Sequence, residues 1–307
     1  MWQHQQSAQS AMTLELFFQY LVAGITYGAV YAVVAVGFNI IYNSTGIINF
    51  AQGEFVMLGG MIAISLVQWL PLAWAITAAV VLTMLIGALM ELCCIRWLRQ
   101  PSILQMLIIT IGISILLREG ALHIWGEGIR SLPYFYGDAI TAWTFGPVRL
   151  SPQVIWVLLA CGCMVAALHL FFNRSTLGRE MRACAVNRTA AALCGIKTRN
   201  MVTLSFVLSA GMGALAGCMI SPITYTQYDS GAALALKGFT AAILGGLGNS
   251  MAAVVAGLLL GILEAFSITL VPLAFQDAVA VSLLLLILFI KPHGLFGSSA
   301  AARLKAF

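Results

Sequence analysis

The chain has 307 residues, 61% of them hydrophobic and 8% charged, with a formal net charge of +5 and a mean hydropathy of +0.99. Soluble domains carry about 25% charged residues, so this composition excludes a water-solvated globule and points to a chain solvated by lipid. The basic residues fall in clusters between apolar runs, the pattern of loops kept on the cytoplasmic side, which sets nucleic acid aside as a partner.

Residues 1–13 read as a polar N-terminal tail without Lys or Arg. The apolar stretch behind them, 14–42, exceeds the about 7–15 residues of a cleavable signal's core. Further apolar runs bounded by polar or turn residues predict helices over 54–70, 72–95, 102–125, 153–173, 200–220 and 250–271. A Gly-rich run at 232–248 and a last one at 273–290 are added to these, and Asn43 to Gly53 reads as irregular. A crossing takes about 20 residues of helix, and inside hydrocarbon only a helix satisfies its own backbone. The expected fold is therefore an all-α, polytopic membrane helix bundle with about eight or nine transmembrane segments. Close helix crossings are expected where small residues recur, at Gly24 with Gly28, Gly213 with Gly217 and Gly257 with Gly261.

Charge sets the sidedness. Segment 174–199 carries Arg174, Arg179, Arg182, Arg188, Lys197 and Arg199 against the single acid Glu180, so it is expected in the cytoplasm. The turn with Arg96 and Arg99 and the tail with Lys291, Arg303 and Lys305 belong on the same side. Loop 126–152, with Glu127, Asp138 and interfacial Trp125 and Trp143, belongs on the other. A chain that crosses once over 14–42 begins outside. The bundle forms one domain over 14–297, and 298–307 is a cytoplasmic C-terminal tail.

The seven cysteines show no paired framework or metal-ligand spacing, and are read as buried, reduced, small apolar residues. His4, His123, His169 and His293 lie far apart, and packing is the expected role of His123 and His169. Local pairing with Arg118 and Arg96 is expected to account for Glu119 and Glu91. No metal site, no catalytic constellation and no phosphate-binding Gly-rich loop is found.

Three segments depart from plain apolar helix. Gly46-Ile-Ile-Asn-Phe-Ala-Gln-Gly-Glu54 puts Asn49, Gln52 and Glu54 at or within the membrane boundary, where such groups face protein or water. They suit the cap and first turn of the next helix, and, compatibly with that, they are candidates for a substrate path. Leu236 to Asn249 holds one cation, Lys237, ahead of helix-breaking glycines. Lys237 is a further path candidate, or snorkels to an interface. Gly178 to Ile196 is Ala-rich and basic, with Asn187 suited to an N-cap and Gly195 to the position past a helix end. One or two short helices are expected there.

At these residues the chain resembles the LivH family, permease subunits of branched-chain amino-acid ABC importers. The resemblance covers nearly all of 14–297. It is carried by Gly46-x-x-Asn-Phe-Ala-Gln-Gly-Glu54, by Gly178-Arg-x-Met-Arg-Ala183 with Asn187 and Gly195-Ile196, by Lys237-Gly-Phe with Gly245-Gly-Leu-Gly248, and by Lys291-Pro-x-Gly-Leu-Phe-Gly297. It implies a type II ABC-importer-like permease in the bacterial inner membrane, paired with a LivM-like second permease, two cytoplasmic ATPase subunits and a periplasmic solute-binding protein. It also implies that the chain binds no cofactor, ATP-Mg being held by the partner ATPases. Thr189-Ala-Ala-x-x-x-Gly195 looks like the coupling loop of ABC importers, with Thr where the better-known form has Glu. The resemblance thus gives Arg179, Arg182, Asn187, Ala190, Ala191 and Gly195 the part of ATPase-coupling residues. The main function expected is alternating-access import of branched-chain or related amino acids, without enzymatic activity in this chain. The alternatives are a LivH-like permease for urea, amides or aromatic acids, an ion-coupled secondary transporter using Glu54, Glu91, Glu119 or Glu264, and, least favoured, an intramembrane enzyme.

Overall fold

The computed structural model describes residues 2–98, 102–137, 141, 143–145, 148–269, 272, 275–291 and 294–295. Arg99, Asp138, His293, Arg303, Lys305 and the tail 298–307 lie outside the described residues. Eleven α-helices are found among those described: α1 Trp2–Thr45, α2 Gln52–Leu66, α3 Leu72–Met90, α4 Ile103–Trp125, α5 Pro152–Arg174, α6 Thr176–Val186, α7 Arg188–Leu193, α8 Thr198–Thr224, α9 Ser230–Gly245, α10 Ser250–Ser267 and α11 Gln276–Ile290. A π-helical turn, Glu91–Ile95, continues α3. The all-α expectation holds for the bundle. Loop 126–152 adds one short antiparallel pair, β1 Trp143–Phe145 with β2 Val148–Leu150.

Six helices, α1 from Glu15, α3 with its π turn, α4 from Leu104, α5, α8 and α10, are long and apolar enough to cross a bilayer. α2, α9 and α11 are apolar but shorter. The irregular piece after α1 is only residues 46–51, because α1 continues to Thr45 and α2 starts at Gln52. α10 stops at Ser267, short of the expected 271.

The apolar helices alternate in direction, giving the bundle a basic end and an opposite end. At the basic end the last turn of α1 meets the loop between α9 and α10: Asn43 Nδ2 donates to the Gly248 carbonyl at 3.1 Å, and the Gly248 amide to Asn39 Oδ1 at 3.0 Å. The chain beyond α11 returns there, with the Leu295 amide donating to the Leu244 carbonyl at 2.8 Å. Ser44 on α1 lies 2.5 Å from Ser205 on α8, and α6 and α7 sit at this same end. At the opposite end Arg130 and Thr226 form an antiparallel bridge, and Trp125 Nε1 donates to Ser65 Oγ at 2.6 Å.

Glycines set the crossings. A Cβ on Gly28 would come within 2.9 Å of the Gly257 carbonyl, and one on Gly261 within 2.3 Å of the Gly28 amide nitrogen. One on Gly217 would meet the Val56 carbonyl at 1.9 Å. All three small-residue pairs therefore mark true contacts, α1 on α10 and α8 on α2. Backbones this close gain dispersion contacts that bulkier side chains would prevent. α1 and α8 form the buried centre, whereas only 11% of the apolar window of α4 is covered by the rest of the chain.

Some expectations change at the side-chain level. All seven cysteines are free, but only Cys161, Cys184 and Cys218 are buried. An apolar thiol suits a lipid-facing position as well as a core one. His123 and His169 are exposed and do not pack in the core; His169 pairs with Asn173 at 2.8 Å. Glu91 does not pair with Arg96: its carboxylate accepts from Thr203 Oγ1 at 2.7 Å, across to α8. Nor do Arg118 and Glu119 form an ion pair, since adjacent helix positions point in different directions.

A candidate substrate path and a candidate coupling surface

Asn49, Gln52 and Glu54 are brought together where the chain turns from α1 into α2, each 1% exposed or less. Asn49 Oδ1 accepts from the Ala51 amide at 3.1 Å, a local turn that starts α2, but Asn49 is not the N-cap; Ala51 holds that position. Gln52 reaches across the bundle. Its Nε2 donates to the Ser209 carbonyl at 3.2 Å, and its Oε1 lies 2.5 Å from Ser209 Oγ. That hydroxyl is also 2.8 Å from the Gly37 carbonyl, so one proton is shared between two acceptors and α1, α2 and α8 are tied at one point. A Cβ on Gly37 would sit 2.3 Å from Gln52 Nε2, so the tie needs glycine there.

Glu54 looks toward α4. Its Oε1 accepts from Ser114 Oγ at 2.8 Å, and Arg118 follows one turn further along the same helix. Its Oε2 has no partner and lies over Gly231 of α9, where an added Cβ would stand 2.9 Å away. Asn49 Nδ2 is likewise buried and unpartnered. Buried polar atoms are nearly always paired, which sets these two apart from the paired groups around them.

Lys237 is not part of that cluster. Its ammonium lies 2.5 Å from Glu264 on α10 and 2.9 Å from Asp277 on α11, 5.6 Å above the Tyr31 ring of α1. With its side chain 14% exposed it does not snorkel; it ties four helices from within. Sequence reading missed Asp277 and Ser114 because their partners lie on distant helices, and no local pattern announces them.

The basic segment forms the two expected short helices. Ser175 caps α6, accepting from the Gly178 amide at 2.8 Å, and Asn187 caps α7, accepting from the Ala190 amide at 2.9 Å. Gly195 has φ +85°. Its amide bonds to the Ala192 carbonyl and that of Ile196 to the Ala191 carbonyl, the paired closure that a left-handed glycine allows at a helix end. Gly178, Met181 and Cys184 face the bundle, and burial pushes the Cys184 thiol above its ordinary range. Arg179, Arg182, Asn187, Ala190 and Gly195 are exposed, whereas Ala191 is turned inward at 5%. Sequence reading also missed Val186 and Leu193, which stand 70% and 85% exposed at the ends of α6 and α7. In an apolar chain a leucine signals nothing by itself; only its position on a protruding helix does.

Residues 20–289 match the family described as branched-chain amino acid transport system / permease component. The chain is 32% identical to the high-affinity branched-chain amino acid transport system permease protein LivH of Escherichia coli K12, over 92% of this chain and 96% of that one. It is 33% identical, with the same coverage of both, to the permease protein BraD of Pseudomonas aeruginosa. A more distant relative is the autoinducer 2 import system permease protein LsrC of Salmonella paratyphi B, 28% identical over 61% of this chain and 53% of that one. No solved structure matches. The membrane helices and these relatives make it a multi-pass protein of the bacterial inner membrane and a LivH-like transport subunit. The chain belongs to the branched-chain amino acid permease family of ABC transport systems.

Proposed function

We propose that this chain is one half of the translocation path of an ATP-driven importer of branched-chain or related amino acids. It would take substrate from a periplasmic binding protein and work beside a second, LivM-like permease on two cytoplasmic ATPases, which hold the ATP-Mg. The observation that carries this reading is the ordered pair α6–α7 at the basic end. Its caps and closing glycine hold a rigid surface where an unstructured loop would satisfy topology alone. The short helices present Arg179, Arg182, Asn187, Ala190, Gly195, Val186 and Leu193 to the ATPases; Ala191 anchors them from behind.

Alternating access requires ATP to favour one helix packing over another. Glu54, Asn49 and Gln52 face the path in this reading, with the free Glu54 oxygen suited to a substrate ammonium group. Lys237 holds the bundle together. Importer components purified together and reconstituted in vesicles test the proposal. Leu193→Glu should assemble normally yet lose at least about tenfold of substrate-stimulated ATP hydrolysis, the scale of one buried interface anchor. Glu54→Gln should lower uptake while basal hydrolysis persists. Undiminished coupled uptake in Leu193→Glu would remove the coupling role from this loop.

A further inference from the structure

The π-helical turn Glu91–Ile95 alters the end of α3, and such turns recur at functional sites. Between this turn and the start of α8 runs an open groove of about 320 Å³, lined by Leu92, Arg96, Asn200, Thr203, Leu204 and Val207. Its lining is sorted by depth. α3 runs toward the basic end, so Arg96 lies beyond Leu92. α8 runs away from it, so Leu204 and Val207 lie deeper than Asn200. A guanidinium and a carboxamide therefore stand at the mouth, and three aliphatic side chains line the membrane side. The acid nearest the groove is withdrawn: Glu91 is 2% exposed and takes its hydrogen bond from Thr203. Arg96 is exposed and forms no ion pair among the described residues.

We propose that this groove binds one anionic phospholipid, its phosphate on Arg96 and Asn200 and an acyl chain along Leu92, Leu204 and Val207. A soluble anion has no use for the apolar floor, and a zwitterionic lipid gains less from the unpaired cation. A partner helix, about 10–12 Å across with its side chains, would need a broader trough. The basic residues at a cytoplasmic boundary supply the attraction, worth about a fivefold gain in binding per cation. The lipid would bridge the π turn after α3 to the start of α8.

The test is retention of phosphatidylglycerol by the purified protein, read by native mass spectrometry after exchange into nanodiscs of phosphatidylcholine with and without phosphatidylglycerol. Wild type should keep one phosphatidylglycerol. Arg96→Gln should hold it about fivefold more weakly. Val207→Trp, which fills the floor and leaves the charge, should lose it too. Asn200→Ala, at an exposed position, is the variant least able to disturb the fold and should also weaken retention. Excess inorganic phosphate should not displace the lipid. Displacement by phosphate, or wild-type retention in Arg96→Gln or in both other variants, would overturn the proposal.

Discussion

The ammonium of Lys237 shows how a charge survives within an apolar bundle. Its two carboxylate partners differ: Glu264 is 3% exposed and Asp277 68%. Removing one partner of a buried pair costs about 3–5 kcal/mol because the other charge stays behind, whereas replacing both with apolar groups is often neutral. Lys237→Met should therefore destabilise strongly and Asp277→Asn by about 0–1 kcal/mol, the range of exposed pairs. The double variant Lys237→Met, Glu264→Leu should recover most of the loss. Thermal unfolding in detergent measures this; Lys237→Met as stable as wild type would show that the buried pair with Glu264 contributes nothing. The importance of Lys237 and Glu54 was visible in the sequence, because charges in apolar runs are rare. Asp277 and Ser114 were not, nor was the pairing of Lys237 with Glu264, since 27 residues or more separate the members of the Lys237–Glu264 and Glu54–Ser114 contacts.

Helices in this molecule differ in what their glycines do. On α8, Gly217 is where the Val56 carbonyl of α2 arrives, and an added methyl would have to displace backbone. On α4, Gly120 has nothing within 4 Å of the corresponding position. Gly217→Ala should force α2 and α8 apart and lower the yield of folded protein. Gly120→Ala should be neutral or stabilise by up to about 1 kcal/mol, the helix-propensity gain. Size-exclusion yield and unfolding temperature of the two variants check this, and equal behaviour would refute the crossing. The Gly-x-x-x-Gly spacings made the α1–α10 and α8–α2 contacts legible, since close approach leaves a mark in residue size. Caps made α7 legible, through Asn187 and Gly195. The π turn was not, because Glu91-Leu-Cys-Cys-Ile95 has the same apolar character as ordinary helix.

For the molecule as a whole, the charge asymmetry predicts sidedness and the alternating helices agree with it: the described basic residues from 174 to 199, Arg96 and Lys291 lie at one end. Cys194, exposed beside Gly195, offers a native label. In a variant retaining only that cysteine, a membrane-impermeant maleimide should label inside-out vesicles and leave intact spheroplasts unlabelled; the reverse pattern would invert the topology. The tie at Gln52 then constrains how such a bundle can move. Three helices meet at the Ser209 hydroxyl, which lies between Gln52 Oε1 and the Gly37 carbonyl, and sliding them would strand polar groups that now have partners. At about 1.5 Å per residue, Ser209 stands about 16 Å from the start of α8 and about 22 Å from its end. The longer arm lies on the far side from α6–α7, and the contacts of Gly59 with Ala214 and of Gly217 with Val56 hold α2 against α8 along it.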